Sequence, residues 1–175
     1  FMEKLASEIE ISKKENRIFS LLMMDLDGFK EFNDKNGHQA GDMMLQEYAA
    51  ALISGLRKDD LIARYGGDEF IVILRNTDKT HAKTIAEKIR NIVENNFSGV
   101  GITVSIGISE FKSDAISSDE LISFADETLY RAKEFGGNRT ACWKKIKLNY
   151  RHSDGLVGIA CVGDFNRWDK KAGKM

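Results

Sequence analysis

Hydrophobic positions in this chain recur with two periods that take turns along its length, and the alternation predicts the elements. Met2, Leu5 and Ile9 fall on one helical face with polar residues between them, so residues 2–16 read as an amphipathic helix. The run SLLMMDLD at 20–27 is a short buried strand ending in carboxylates. A brief helix over 29–35 and a longer one over 39–54 follow, separated by Gly37. Two strands, 60–65 and 69–74, flank Gly66-Gly67, and a glycine pair between apolar runs signals a hairpin. Residues 78–95 place Ala82, Ile85, Ala86, Ile89, Ile92 and Val93 on one helical face, and 101–111 alternate as a strand. A further helix begins at Ser118, with Asp119 and Glu120 in its first turn, Leu121, Phe124, Ala125 and Leu129 facing inward, and Gly136-Gly137 as its stop. A strand over 138–143 closes the series. After the first helix the order β-α-α-β-β-α-β-α-β predicts an α/β (α+β) domain, a largely antiparallel sheet flanked by helices.

Composition narrows what this domain does. In 175 residues, 42% hydrophobic content supports one core plus a remnant. With 26 basic against 27 acidic residues, the net charge of −1 provides no global field for a nucleic acid polymer or an anionic membrane. The longest apolar runs, 21–24 and 71–74, are far below the roughly 18 residues of a membrane helix. Cys142 and Cys161 lack metal-ligand spacing, and no secretory leader opens the chain, so a cytoplasmic, reduced setting is the expectation. The chain contains no proline and begins inside a helical pattern, which suggests a piece excised from a longer protein.

The candidate chemistry lies in acids at strand ends. Asp25 and Asp27 are two apart and share one strand face, and Asp68 rides on the Gly66-Gly67 turn beside Glu69. Carboxylates converging on one spot repel unless a cation sits between them, and Mg2+ with a triphosphate suits such oxygens. The structural alternative makes Asp27 the N-cap of helix 29–35 and Asp68 and Glu69 ordinary turn residues.

The segments RYGGDEF, MMDLDGFKEFNDKNGHQAGDMML and ADETLYRAKEFGGN together resemble the GGDEF family of diguanylate cyclases, in the right order over residues 1–143. The resemblance implies a palm-like fold, similar to adenylyl cyclase catalytic domains. It implies a homodimer that condenses two GTP into cyclic di-GMP and two pyrophosphates. It marks Asp25, Asp68 and the Leu26 carbonyl as ligands of Mg2+, with Mn2+ as a substitute, and Glu69 as a second-metal ligand or base. Gly66 and Gly67 then let backbone approach the nucleotide. Lys30, with the N–H groups of Gly28 and Phe29, matches the phosphate-binding helix start, against the alternative of a solvated lysine. Asn33 and Asp42 match the guanine readers; the alternatives are a helix C-cap and a first-turn charge.

Two further matches and one departure complete the set. Lys133 matches the family's triphosphate lysine, but Gly137 stands where an arginine is frequent, so either Arg139 substitutes or the site leans on Lys30 and Lys133 alone. Arg57 and Asp60 form an R-x-x-D at the register of a product-binding inhibitory site, against the alternative of an exposed ion pair. The family's upstream DxLT and NRR elements are missing, which again suggests truncation. Residues 144–175 read as a hairpin around Ser153-Asp154-Gly155, and VGDFNRWD resembles the start of a glycogen- or starch-binding β-sandwich module, with Phe165 and Trp168 as core or sugar-stacking aromatics. Glycogen or starch is therefore an expected partner of the full-length protein.

Overall fold

The structure, a computed structural model, describes residues 1–152 and 155–162. Helix α1 (Met2–Lys14) leads into strand β1 (Phe19–Asp27), then α2 (Phe29–Asn36) and α3 (His38–Gly55). The hairpin β2 (Leu61–Gly66) and β3 (Glu69–Arg75) is followed by α4 (Lys79–Phe97), β4 (Thr103–Glu110), α5 (Ser118–Glu134) and β5 (Thr140–Cys142). These five strands form one sheet in the order β2-β3-β1-β4-β5, antiparallel except for the parallel β4–β5 edge. The expected α/β architecture is what is found.

β1 is central and buried along almost its whole length, and its two faces meet different partners. Leu22, Met24 and Leu26 join Met44, Tyr48, Leu52, Ile89 and Val93 under α2, α3 and α4. Phe19, Leu21 and Met23 join Leu5, Ile9, Leu121 and Leu129 under α1 and α5. Asp25 and Asp27 continue the second face by parity. Met2, expected on the inward face of α1, is instead 45% exposed, because the contact with the core begins one turn later at Leu5.

Two local expectations are corrected. The hairpin loop is Gly67-Asp68, with Gly66 still paired to Glu69 across a bulge, so the acid sits in the loop itself. Asp27 does not cap α2; the N-cap is Gly28, whose φ of 81° is a left-handed conformation that glycine adopts without strain. At the far end, Trp143 is buried and stacks on Phe124 at 4.1 Å. β6 (Lys145–His152) and β7 (Gly155–Val162) form the expected antiparallel hairpin as a separate two-stranded sheet. Phe165 and Trp168 lie outside the described residues.

Candidate active site

Strand pairing assembles the acids. Asp25 is opposite Glu69 of β3 on one side and Ser105 of β4 on the other, and Asp68 occupies the adjoining loop. Arg64 holds that loop, its Nε donating to the Gly67 carbonyl at 2.7 Å. Asp25 is buried, and its Oδ2 is 2.5 Å from Nζ of Lys133, which reaches over from the last turn of α5. Its Oδ1 is buried without a partner. Burial pushes the Asp25 carboxyl above its ordinary range, the neighbouring charges of Asp68 and Glu69 push the same way, and Lys133 opposes them.

Asp27 has a different role from the one its position suggests. It accepts from Thr103 Oγ1 at 2.9 Å, from Ser105 Oγ at 2.7 Å and from the backbone N–H of Asn138 at 2.9 Å. Its carboxylate thus ties β1 to β4 and to the loop after α5. Asn138 is pinned again by α4, through Arg90 and Glu94. Gly137, at φ 68°, lies so close that an added Cβ would come within 3.0 Å of Asp27 Oδ1.

This anchored loop forms one wall of a cavity of about 360 Å3 lined by Leu26, Asp27, Gly28, Lys30, Lys133 and Gly137, among others. The N-terminus of α2 opens onto it, and its first turn is fixed by the buried ring of Phe29. A second cavity of about 400 Å3, lined by Asp25, Glu69, Tyr130 and Lys133 with α5 residues, adjoins it through Lys133. Arg139 is not brought into the first cavity: its Nε donates to the Gly137 carbonyl, and it lines a separate cavity of about 750 Å3 with residues of α4, α5 and β5. Asn33 packs against Gly41, the residue before Asp42, where α2 and α3 meet. Gly41 allows this, since a Cβ there would fall 1.8 Å from Asn33 Oδ1, an oxygen that is buried and unpartnered.

Sequence reasoning missed Gly41 and the stripe Ser105, Gly107, Ser109 on the α5 face of β4. A Cβ at Gly107 would lie 2.0 Å from the Ala125 carbonyl and 2.4 Å from Leu129 N, so only glycine lets α5 settle here. Thr128 Oγ1 accepts from Ile108 N–H, and Ser109 Oγ donates to the Leu121 carbonyl. The signal was present as small residues at alternate strand positions opposite a helix.

Arg57 and Asp60 form a turn in which the Arg57 N–H donates to Asp60 Oδ2 at 2.9 Å; among the described residues no ion pair joins the two side chains. Together with Arg17 and Arg75 they line a groove of about 360 Å3 at the opposite end of the β2–β3 hairpin from the Gly67-Asp68 loop.

The donor set around Asp25 is all oxygen, which suits a hard divalent cation such as Mg2+ or Mn2+, and the unpartnered Oδ1 is an atom such an ion would satisfy. Among the described residues, no three His, Cys, Asp or Glu side chains are arranged to hold a metal ion. The Lys133 ammonium stands beside Asp25 instead.

Comparison with known proteins identifies the family and the fold. Residues 1–139 match the family model described as diguanylate cyclase, GGDEF domain. The chain is 41% identical over 141 residues to diguanylate cyclase A of Treponema denticola, covering 78% of this chain and 38% of that protein. It is 37% identical over 143 residues to diguanylate cyclase DosC of Escherichia coli, covering 78% and 31%. It therefore spans well under half the length of these curated relatives. Among solved structures, the GGDEF domain of YfiN from Pseudomonas aeruginosa superposes with a TM-score of 0.76 at 31% identity, covering 81% of this chain and 92% of that one. The GGDEF domain of DgcB from Caulobacter crescentus, in complex with c-di-GMP, gives 0.73 at 30% identity, covering 80% and 86%. The comparisons lend no support to a carbohydrate-binding module at 144–175. No helix among the described residues is long and apolar enough to cross a membrane.

Proposed function

The chain belongs to the diguanylate cyclase GGDEF-domain family, and on that premise we propose that it condenses two GTP into cyclic di-GMP and two pyrophosphates as a homodimer, each domain presenting one GTP. The observation that carries this is the pairing of Asp25 with Glu69, with Asp68 in the adjoining loop, beside Lys133, which also lines the cavity between the start of α2 and the end of α5.

Lys30 and the free N–H groups at the start of α2 hold the triphosphate. Asn33 and Asp42 read the guanine edge, the carboxylate accepting from its N1–H and exocyclic amine. Gly66 and Gly67 keep the hairpin backbone close to the nucleotide. Bound Mg2+ or Mn2+, held by Asp25, Asp68, Glu69 and the Leu26 carbonyl, would neutralise charge on the α-phosphate and pyrophosphate and make the 3′-hydroxyl more acidic. Glu69 accepts the 3′-hydroxyl proton as that oxygen bonds to the partner nucleotide's α-phosphorus and the bond to pyrophosphate breaks; a second such step closes the ring.

Cyclic di-GMP then binds at Arg57 and Asp60, where a guanidinium fork suits guanine O6 and N7, and holds two domains apart in an inhibited arrangement. Gly137 favours a second reading, a domain that binds cyclic di-GMP with little turnover, because it removes a cation from the triphosphate cavity.

One experiment separates these. The domain is incubated with Mg2+ and GTP or ATP while pyrophosphate, cyclic product and product affinity are followed. The expected result is product from GTP alone, its loss in a folded Asp68→Ala form, and about tenfold weaker product binding in Arg57→Ala with catalysis retained. Turnover unchanged by Asp68→Ala overturns the assignment, and product binding without turnover selects the second reading.

A further inference from the structure

Lys133 occupies an unusual position for a residue meant to hold a triphosphate. It lies in the last turn of α5, where its charge already suits the helix C-terminus, yet it extends across to β1 and pairs with Asp25. The lysine side chain is 41% exposed and the Asp25 side chain 10%, so the pair is half sheltered and stronger than a surface contact. The same lysine lines both adjoining cavities: the one holding Asp25 and Glu69, and the one holding Lys30 and the Gly137 backbone.

We propose that Lys133 is a metal placeholder: its ammonium neutralises Asp25 in the nucleotide-free domain, and entry of metal with GTP moves it onto the triphosphate. The proposal rests on the reading of Asp25 as a metal ligand. The ammonium is on Oδ2 and a divalent cation would take the free Oδ1 of the same small carboxylate, so the two positive charges repel at close range and metal binding favours release of the lysine. Its flexible stem gives it a second anion within reach, in a cavity where Gly137 contributes no charge. Metal alone meets this repulsion without compensation, whereas metal and triphosphate together exchange one ion pair for another. Binding of the two is therefore coupled, and the coupling is reciprocal.

The test is binding of Mn2+ to the nucleotide-free domain, read from the electron paramagnetic resonance of the free ion, with and without a non-hydrolysable GTP analogue. The unmodified domain is expected to bind Mn2+ weakly alone and more tightly with the analogue. In Lys133→Met, and in Lys133→Gln, Mn2+ alone should bind about tenfold more tightly, with the effect of the analogue reduced. Lys30→Met should leave the metal-alone affinity unchanged; a gain equal to that of Lys133→Met would reveal a general field effect and overturn the proposal. If Asp25→Asn abolishes binding but neither Lys133 variant raises it, the placeholder is overturned while the metal reading stands. If Asp25→Asn leaves Mn2+ affinity unmoved, the metal reading fails and the proposal fails with it.

Discussion

The two faces of the central sheet are held by different means. Under α2, α3 and α4 the contact is bulk apolar packing, with Tyr48 set edge-on to Phe70 and branched aliphatic residues around it. The face under α1 and α5 has an apolar cluster too, but where α5 meets β4 the strand presents serine, glycine and serine, and the helix is seated there by close backbone approach and hydrogen bonds. Apolar packing tolerates small losses of volume, but a seat made of backbone contacts does not. The second kind of contact positions Lys133, Asp25 and Asp27, so the face that builds the site is the one with the least freedom.

The largest test of that difference is Gly107→Ala against Ile106→Val, neighbours on opposite faces of β4. The alanine methyl meets main chain that cannot step aside, and the cost should exceed about 3 kcal/mol, at or beyond the upper end of ordinary overpacking. The valine should cost about 0.5–1.5 kcal/mol. Equal denaturation midpoints in guanidinium would show that α5 re-seats freely and that the faces do not differ.

Next comes Asp27→Ala. It leaves Thr103, Ser105 and the Asn138 N–H without their acceptor, and the expected loss is about 1.5–3 kcal/mol, with faster amide exchange confined to residues 135–139. Uniform exchange throughout the domain would mean that Asp27 supports the fold in general rather than the loop.

The sequence reveals the apolar face more fully than the polar one. Periods of two and of 3.6 residues place β1, β4 and the helices, because those signals are local and the burial of Leu22, Val72 or Ile89 follows directly from them. The acids at 25, 68 and 69 stand out as charges in an otherwise apolar context. Asp27 does not yield to the same reasoning: its three partners lie 76, 78 and 111 residues away, and nothing within its own segment distinguishes a cap from a hub. Gly107 and Gly41 are equally silent, since a glycine chosen for closeness to a distant backbone or side chain resembles any other glycine in a strand or helix. The pairing of Lys133 with Asp25 depends on both the α5 seat and the strand register.

The smallest effect to look for is in the pH dependence of stability. Asp25 has a folded-state carboxyl raised above its ordinary value of 3.8 by burial and by Asp68 and Glu69, with Lys133 limiting the rise. The folded chain therefore holds this proton more tightly than the unfolded chain does. Between the unfolded and the raised folded value the native state binds more protons, so the Asp25 contribution falls as pH rises through that window and is constant above it. Ionised Asp25 is thus a destabilising group at neutral pH, retained where the proposed chemistry needs a carboxylate. Asp25→Asn should remove that fall and raise the neutral-pH urea midpoint relative to acid, while abolishing cyclase activity. The opposite face supplies the control. Tyr48 is buried there, and its phenol is held well above its ordinary value by burial and by the nearby carboxylates, so Tyr48→Phe should leave the acid-range profile unchanged. Parallel acid-range profiles for the unmodified and Asp25→Asn domains would show that the Lys133 contact fully offsets the burial of Asp25.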